Sequence, residues 1–314
     1  MANLLLLRAA WSMLVLWLVS VLIFVATQML PGDAAQAILG IRATPESVAQ
    51  LRRELNLEGS PLEQYVSWFS SVLQFNFGIS LSNGIPVAEY LYPRIMSSLA
   101  LMTVAAVIGI PLSLVIGGVS GYRRDGAFDH IVSVLTLVLS ALPVFVVGSV
   151  LVLGLSTGKL NLLPAISSQR LSFGNIAEWI LPSVTLALAI GPYLIRMMRG
   201  TIIEILESEY VSYARVRGAS NAALLIRHAL PNTIGPVAQV TALQLAYLAS
   251  GAVVVEYLFA YPGVGSALVD AVNNRDLPVV QAVCLFVAAF YVVVNLCADV
   301  ITIIASPRIR IRGS

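Results

Sequence analysis

Six long apolar runs, near residues 9–30, 99–121, 131–154, 180–198, 234–256 and 279–304, divide the chain into greasy and polar stretches. Each is close to the ~20 residues that cross bilayer hydrocarbon as a helix. Lipid offers the backbone no partner, so such a run must satisfy its own N–H and C=O groups. The pattern predicts an all-α polytopic membrane protein with six transmembrane helices and both termini on one side. Between the first two runs lies an amphipathic stretch that does not span. Thr44, Pro45 and Glu46 supply an N-cap, a first helical position and a first-turn acid. Val48, Leu51 and Leu55 then form one apolar stripe, and Leu62, Tyr65, Val66, Phe69 and Leu73 form a second at helical spacing. Two short helices on the outer surface are expected. The chain thus divides into an N-terminal transmembrane helix (1–30), an outer amphipathic segment (31–94), a transmembrane domain (95–305) and a basic tail (306–314).

Composition agrees with this pattern. Charged residues are 11% of the chain against about a quarter in soluble domains. A net charge of +2, with no basic run interleaved with aromatics, is too small to suggest a nucleic-acid partner, and none is expected. Arg8, Arg123, Arg124, Arg196, Arg199, Arg215, Arg217, Arg227, Arg308, Arg310 and Arg312 fall on one face of the predicted topology. The remaining basic residues fall on the other, mostly in the long first loop. Positive-inside bias makes the first face cytoplasmic, with both termini inside. A single Arg before an over-long first run, with no small-residue cleavage site, reads as an uncleaved anchor. Cys284 and Cys297 lie roughly 20 Å apart along one helix and cannot pair with each other.

Several chemistries are missing. Gly154–Leu160 resembles a phosphate-cradling loop, but it is one residue short and has Leu160 where magnesium needs a hydroxyl. His130 and His228 are the only histidines and have no cysteine neighbours to make a metal site. The chain itself is expected to be no enzyme and to carry no cofactor. Glu256 and Asp299 are the candidate intramembrane acids, each near a helix end where it reaches an interface or a helix-end partner. An ion-coupled secondary transporter, which would use such acids and repeated broken helices, is the alternative of another class.

The segment most informative about function is the polar loop 199–233. Its residues favour a helix over about Glu207–Arg217, and Gly218 supplies a C-cap with positive φ. A second helix is expected over Asn221–Leu230, stopped by Pro231 before the fifth run. Ala214 is small enough for close approach, and Arg215 and Arg217 bring orienting charge. Ala214, Gly218, Leu230 and Pro231 fall at the spacing of the EAA loop of ABC-transporter permeases, A-x-x-x-G followed by L-P. The name-giving Glu is replaced by Ser212, the first Ala by Tyr213 and the usual Ile by His228. These departures resemble the dipeptide/oligopeptide/nickel branch of the importer permeases. So do LPGD (Leu30–Asp33), FNFGISL (Phe75–Leu81), GIPLSL (Gly109–Leu114), Phe128–His130, YPGVG (Tyr261–Gly265), RDLPVVQ (Arg275–Gln281), NLCAD (Asn295–Asp299) and PRIR (Pro307–Arg310).

The resemblance runs nearly end to end and is to the first of two permeases in a bacterial peptide-type importer. It implies a type I (MetI-like) permease core over about 95–304, with an N-terminal helix and a periplasmic helical segment, in the inner membrane. It further implies a paralogous second permease, two ATP-binding subunits that hold the ATP and magnesium, and an external substrate-binding protein. Ser212, Tyr213, Ala214, Arg215, Arg217, Gly218, Leu230 and Pro231 would contact an ATPase. Ser140, Pro143, Gln244 and Tyr247 would line the passage. The substrate implied is a di- or oligopeptide, with a nickel chelate, glutathione or an oligosaccharide as the alternatives.

Overall fold

The computed structural model describes residues 2–29, 44–46, 59–157, 162–167, 176–220 and 223–305. In chain order the helices are α1 (Ala2–Gln28), α2 (Pro61–Leu73), α3 (Val87–Tyr122), α4 (Ala127–Ala141), α5 (Val144–Leu155), α6 (Ile176–Leu206), α7 (Glu209–Val216), α8 (Leu230–Leu258), α9 (Val264–Asn273) and α10 (Leu277–Ala305). A π-helical turn, Leu224–Ala229, leads into α8. α1, α3, α6, α8 and α10 are each long and apolar enough to cross a membrane, and α4 with α5 forms a sixth, broken span. The third apolar run is therefore not one helix. It turns by 110° at Leu142–Pro143, because Pro143 cannot donate to the preceding turn and Leu142 is driven into extended backbone at ψ 131°.

Membrane helices lack a hydrophobic drive toward one another, so close backbone contact and packing must hold them. α3 and α6 meet in this way. A Cβ placed on Gly117 would lie 2.5 Å from the Ile195 carbonyl oxygen, and one on Gly121 would lie 2.8 Å from that of Arg199. The two glycines are a packing seam. Gly117→Val is accordingly expected to collapse the yield of monodisperse protein in mild detergent. Gly118→Ala should be tolerated, since its Cβ would meet only the flexible end of Met198 at 3.5 Å; size-exclusion chromatography of both variants checks this. Around the seam, Leu101, Leu181, Leu186, Ile190, Leu194, Leu248, Val255, Phe259 and Tyr261 fill the space between α3, α6 and α8.

α2 begins at a reciprocal cap: Ser60 accepts from the Glu63 N–H while the Glu63 carboxylate accepts from the Ser60 N–H. It lies against the end of α1, with the Tyr65 hydroxyl 2.9 Å from Ser20 Oγ and Gln28 donating to Gln64 at 2.7 Å. Phe24 packs edge-on against Tyr65 at 5.5 Å. The expected stripe splits here. Tyr65 and Trp68 pack on Phe24 of α1 and Phe69 stacks on Tyr65, whereas Leu62, Val66 and Leu73 are exposed. The helix expected from Thr44 lies outside the described residues beyond Glu46, as does Leu30–Asp33.

At the same end, Asp276 is buried and accepts from the Ser80 hydroxyl, the Ser82 hydroxyl (2.8 Å), and the N–H groups of Leu81 (3.1 Å) and Ser82 (3.2 Å). Two separate sequence motifs, FNFGISL and RDLPVVQ, thereby become one structural unit. Gln281, the last residue of the second, donates to Thr27 of α1 at 2.8 Å. Of the two partners expected for Glu256, an interface or a helix end, it takes the helix end. It is fully buried, and its Oε2 accepts from the Gly265 N–H at 2.6 Å, capping the start of α9. Gly263 makes room for it, since a Cβ there would sit 2.2 Å from the carboxyl carbon.

Candidate functional site: a lever and the clamp behind it

α6 does not stop at Arg199 but continues to Leu206, so the loop proper begins at Glu207. Ser208, in extended backbone, starts α7. This helix is polar overall and only eight residues long, too short to persist without support. Val211 provides the support by being completely buried. Asn232, at the start of α8, donates to the Tyr210 hydroxyl at 3.2 Å and ties the helix down from its other side. The opposite face is free. Ser212, Arg215 and Arg217 are exposed, Ala214 is half-buried, and Tyr213 and Val216 are 71% and 88% exposed. Tyr213 and Val216, one turn apart, thus put two large side chains on the outer side of an otherwise polar helix. Val216 was missed by the sequence reading; its helical neighbourhood to Tyr213 was the available signal.

α7 ends as expected. Gly218 has φ +86°, its N–H bonds to the Arg215 carbonyl at 3.0 Å, and the Ala219 N–H bonds to that of Ala214 at 3.2 Å. This pair of bonds is the Schellman closure, which needs a left-handed residue at that point. Among the described residues, its chain neighbours apart, no atom lies within 4 Å of where a Cβ would be, so the requirement is one of backbone conformation and not of space.

The second half of the loop departs from expectation. Asn221 and Ala222 lie outside the described residues. From Leu224 the chain forms the π-helical turn, with Leu224 and Ala229 buried and Leu225 packed near Met198, Ile202 and Val237. Pro231 then sits in the first turn of α8 and does not interrupt it. The helical path runs through it from the π turn, where the Leu230 N–H reaches back five residues to the Leu225 carbonyl, so the irregular turn lies directly before the residue that lacks an N–H.

Behind α7 stands a charge cluster. Asp129, in the first turn of α4, is 2% exposed and receives a two-pronged contact from Arg199, with Nε 2.6 Å from Oδ1 and Nη2 2.7 Å from Oδ2. Ser120 of α3 donates to the same carboxylate, as does the Asp125 N–H at 3.0 Å. Three helices are thus pinned to one side chain at the base of α7. Nearer the surface, Arg124 bonds to Glu207 and to Asp125. Glu207 first and Asp125 second hold its guanidinium charged and raise its pKa, although an ion pair this exposed adds little stability.

The four expected passage residues are less unified. Ser140 and Pro143 are exposed beside the elbow of the broken span, and the Ser140 hydroxyl is spent on the Thr136 carbonyl at 2.7 Å. Gln244 is half-buried and Tyr247 exposed, midway along α8. Among the described residues no hydrogen bond joins the two pairs, and no cluster of side chains is suited to hold a metal.

Comparison with known proteins bears on this arrangement. Residues 109–311 match the family model described as "Binding-protein-dependent transport system inner membrane component", and residues 1–102 match the model for the N-terminal part of such membrane components. A probable peptide ABC transporter permease protein of Sinorhizobium fredii is 33% identical, over 96% of this chain and 97% of its own. A putative peptide transport system permease protein of Brucella abortus is 34% identical over 99% of both. The glutathione transport system permease protein GsiC of Escherichia coli is 31% identical over 94% of both. In fold, the chain is similar to the inward-facing MetNI methionine ABC transporter, with a TM-score of 0.59 at 15% identity, covering 69% of this chain and 96% of that one.

Proposed function

The chain belongs to the family of binding-protein-dependent transport system inner membrane components and is an ABC importer permease, and from that premise we propose that it carries short peptides, driven through α7 by a separate ATPase. The observation that carries the coupling role is α7 itself. It is a short helix anchored by Val211, closed by Gly218, and presenting Tyr213, Arg215 and Val216 outward. The peptide substrate is supported by relatives that match end to end and are named for peptide transport. Glutathione, itself a tripeptide, is the second reading, favoured by the match to GsiC.

On this reading the α7 end faces the cytoplasm, together with both termini, in the inner membrane of a bacterium. The arginines that converge on this end support that orientation under the positive-inside bias. Ser212, Tyr213, Ala214, Arg215, Arg217 and Gly218 meet a groove on one of two ATP-binding subunits, with Leu230 and Pro231 bracing the return into α8. ATP and magnesium reside in those subunits. A paralogous permease completes the passage, to which Ser140, Pro143, Gln244 and Tyr247 contribute, and an external binding protein delivers the substrate. Closure of the ATPases then drives a rigid-body transition of the helix bundle. Extraction of the tagged chain in mild detergent should recover an ATPase and a second permease, and proteoliposomes of that complex should take up a labelled di- or tripeptide only with ATP and the binding protein. Uptake by this chain alone under an ion gradient would contradict the proposal.

A further inference from the structure

At the end of the molecule opposite α7, α3 begins before it can enter lipid. Its 36 residues extend about 54 Å, against roughly 30 Å of hydrocarbon. The first turns of α3, the turn at 81–83 and the outer side of α9 border an open polar cavity of about 260 Å³, with Arg94 half-buried in it and Asp270, Asn83 and Asn274 exposed at its rim. Its walls are firmly built. Asp276 has its carboxylate occupied by the four donors from Ser80, Leu81 and Ser82, and the Arg94 guanidinium lies 4.5 Å over the Tyr90 ring. Besides Asp276, two charges of opposite sign line this space, Arg94 from α3 and Asp270 from α9. Neither makes an ion pair among the described residues. The side-chain hydrogen bond of Arg94, to Ser266 Oγ, is 3.5 Å long, so most of its five donors stay open. Asn83 and Asn274 line the same cavity with carboxamides that both donate and accept.

Unpaired charges of opposite sign across one small cavity complement a molecule that carries both signs. The volume falls just below the ~300–1,000 Å³ of drug-sized pockets, which suits an amino acid, a dipeptide or the end of a longer peptide. A planar guanidinium stacked in place is preorganised to take a carboxylate through two parallel bonds. Asp276 is committed to the turn at 80–82, with three donors on Oδ2 and the Leu81 N–H on Oδ1, which leaves Asp270 as the lining acid that holds no side-chain hydrogen bond from the described residues.

We propose that this cavity is a subsite for the zwitterionic end of a peptide, which sets its carboxylate on Arg94 and its ammonium on Asp270. The inference rests on the peptide reading above and names where on the permease the substrate is first held. The test is titration of the purified whole transporter, without binding protein, with dialanine and with N-acetyl-dialanine amide, which lacks both charges, read by saturation-transfer NMR. Dialanine should bind and the blocked peptide should not. Arg94→Ala and the isosteric Asp270→Asn should each weaken dialanine binding at least tenfold, with Arg94→Lys retaining part of it, in protein that elutes monodisperse like the parent. No binding of dialanine, equal binding of the blocked peptide, or unchanged affinity in the variants would overturn the subsite. A cavity that contacts only the binding protein would appear as altered half-saturation by that protein with no dialanine signal, and this too overturns it. Uptake of labelled dialanine by the parent complex separates the two levels. Uptake without cavity binding removes the subsite alone, whereas failure to transport any peptide removes the substrate reading on which it rests.

Discussion

Replacing Gly218 with valine is expected to leave the protein inserted and the complex assembled while peptide uptake falls by roughly tenfold and ATP hydrolysis continues. The residue holds φ +86° in a position where, among the described residues and its chain neighbours apart, nothing lies inside 4 Å of a Cβ, so a larger side chain meets backbone strain and not a collision. For an L-residue the left-handed conformation costs about 1–2 kcal/mol, more for a β-branched one. The chain escapes that cost by undoing the closure that fixes Ala214, Arg215 and Gly218 relative to one another, and α7 loses its defined end. A misplacement worth about 1.4 kcal/mol is a factor of ten. Gly218→Asn, which tolerates the left-handed region, should keep most of the uptake. Parallel assays of ATP hydrolysis and uptake in proteoliposomes decide the matter, and full coupling in the valine variant would remove Gly218 from the mechanism.

Asp129→Ala is expected to have the larger structural effect. It strands the Arg199 guanidinium at a half-buried site and frees the Ser120 hydroxyl and the Asp125 N–H at once. Breaking a fully buried pair by removing one partner costs about 3–5 kcal/mol, and with Arg199 30% exposed the loss falls toward the low end of that range, still a large share of the stability of any domain. The melting temperature in detergent should drop sharply, and uptake should be lost because α3, α4 and α6 no longer move together at the base of the lever. Removing both charges should do less harm than removing one. Asp129→Leu combined with Arg199→Met is therefore expected to recover much of the thermal stability without restoring full transport. Equal stability in the single and double variants would show that the cluster is a bystander.

How much of this could be read in the chain depends on the range of the interaction. The spans were legible because lipid imposes one backbone solution on every long apolar run. Gly218 was legible because a left-handed helix end leaves a local signature. The 110° break at Pro143 was not. Proline also occurs at 93, 111, 182, 192 and 236 inside helices that continue, so its presence alone does not measure a bend. Pro231 misled for the same reason: a helical path stops at such a residue or runs through it, according to the turn before it. The roles of Asp129, Glu256 and Asp276 depend on partners that lie 70, 9 and as many as 196 positions away in sequence. Sequence periodicity carries no information about such contacts. Arg199 was counted as one more inside charge, whereas its position is set by an acid on another helix.

The claim on which the rest depends is that α7 seats against an ATPase. A cysteine in place of the exposed Tyr213, with Cys284 and Cys297 replaced by serine, allows a direct measurement in membranes that contain the assembled complex. A reagent with a maleimide at one end and a photoreactive group at the other, attached to this cysteine and illuminated, is expected to join it to the ATP-binding subunit from the cytoplasmic side, with a yield that changes when ATP is added. Failure to capture that subunit, or labelling of the same cysteine by an impermeant maleimide applied outside intact cells, would contradict the account.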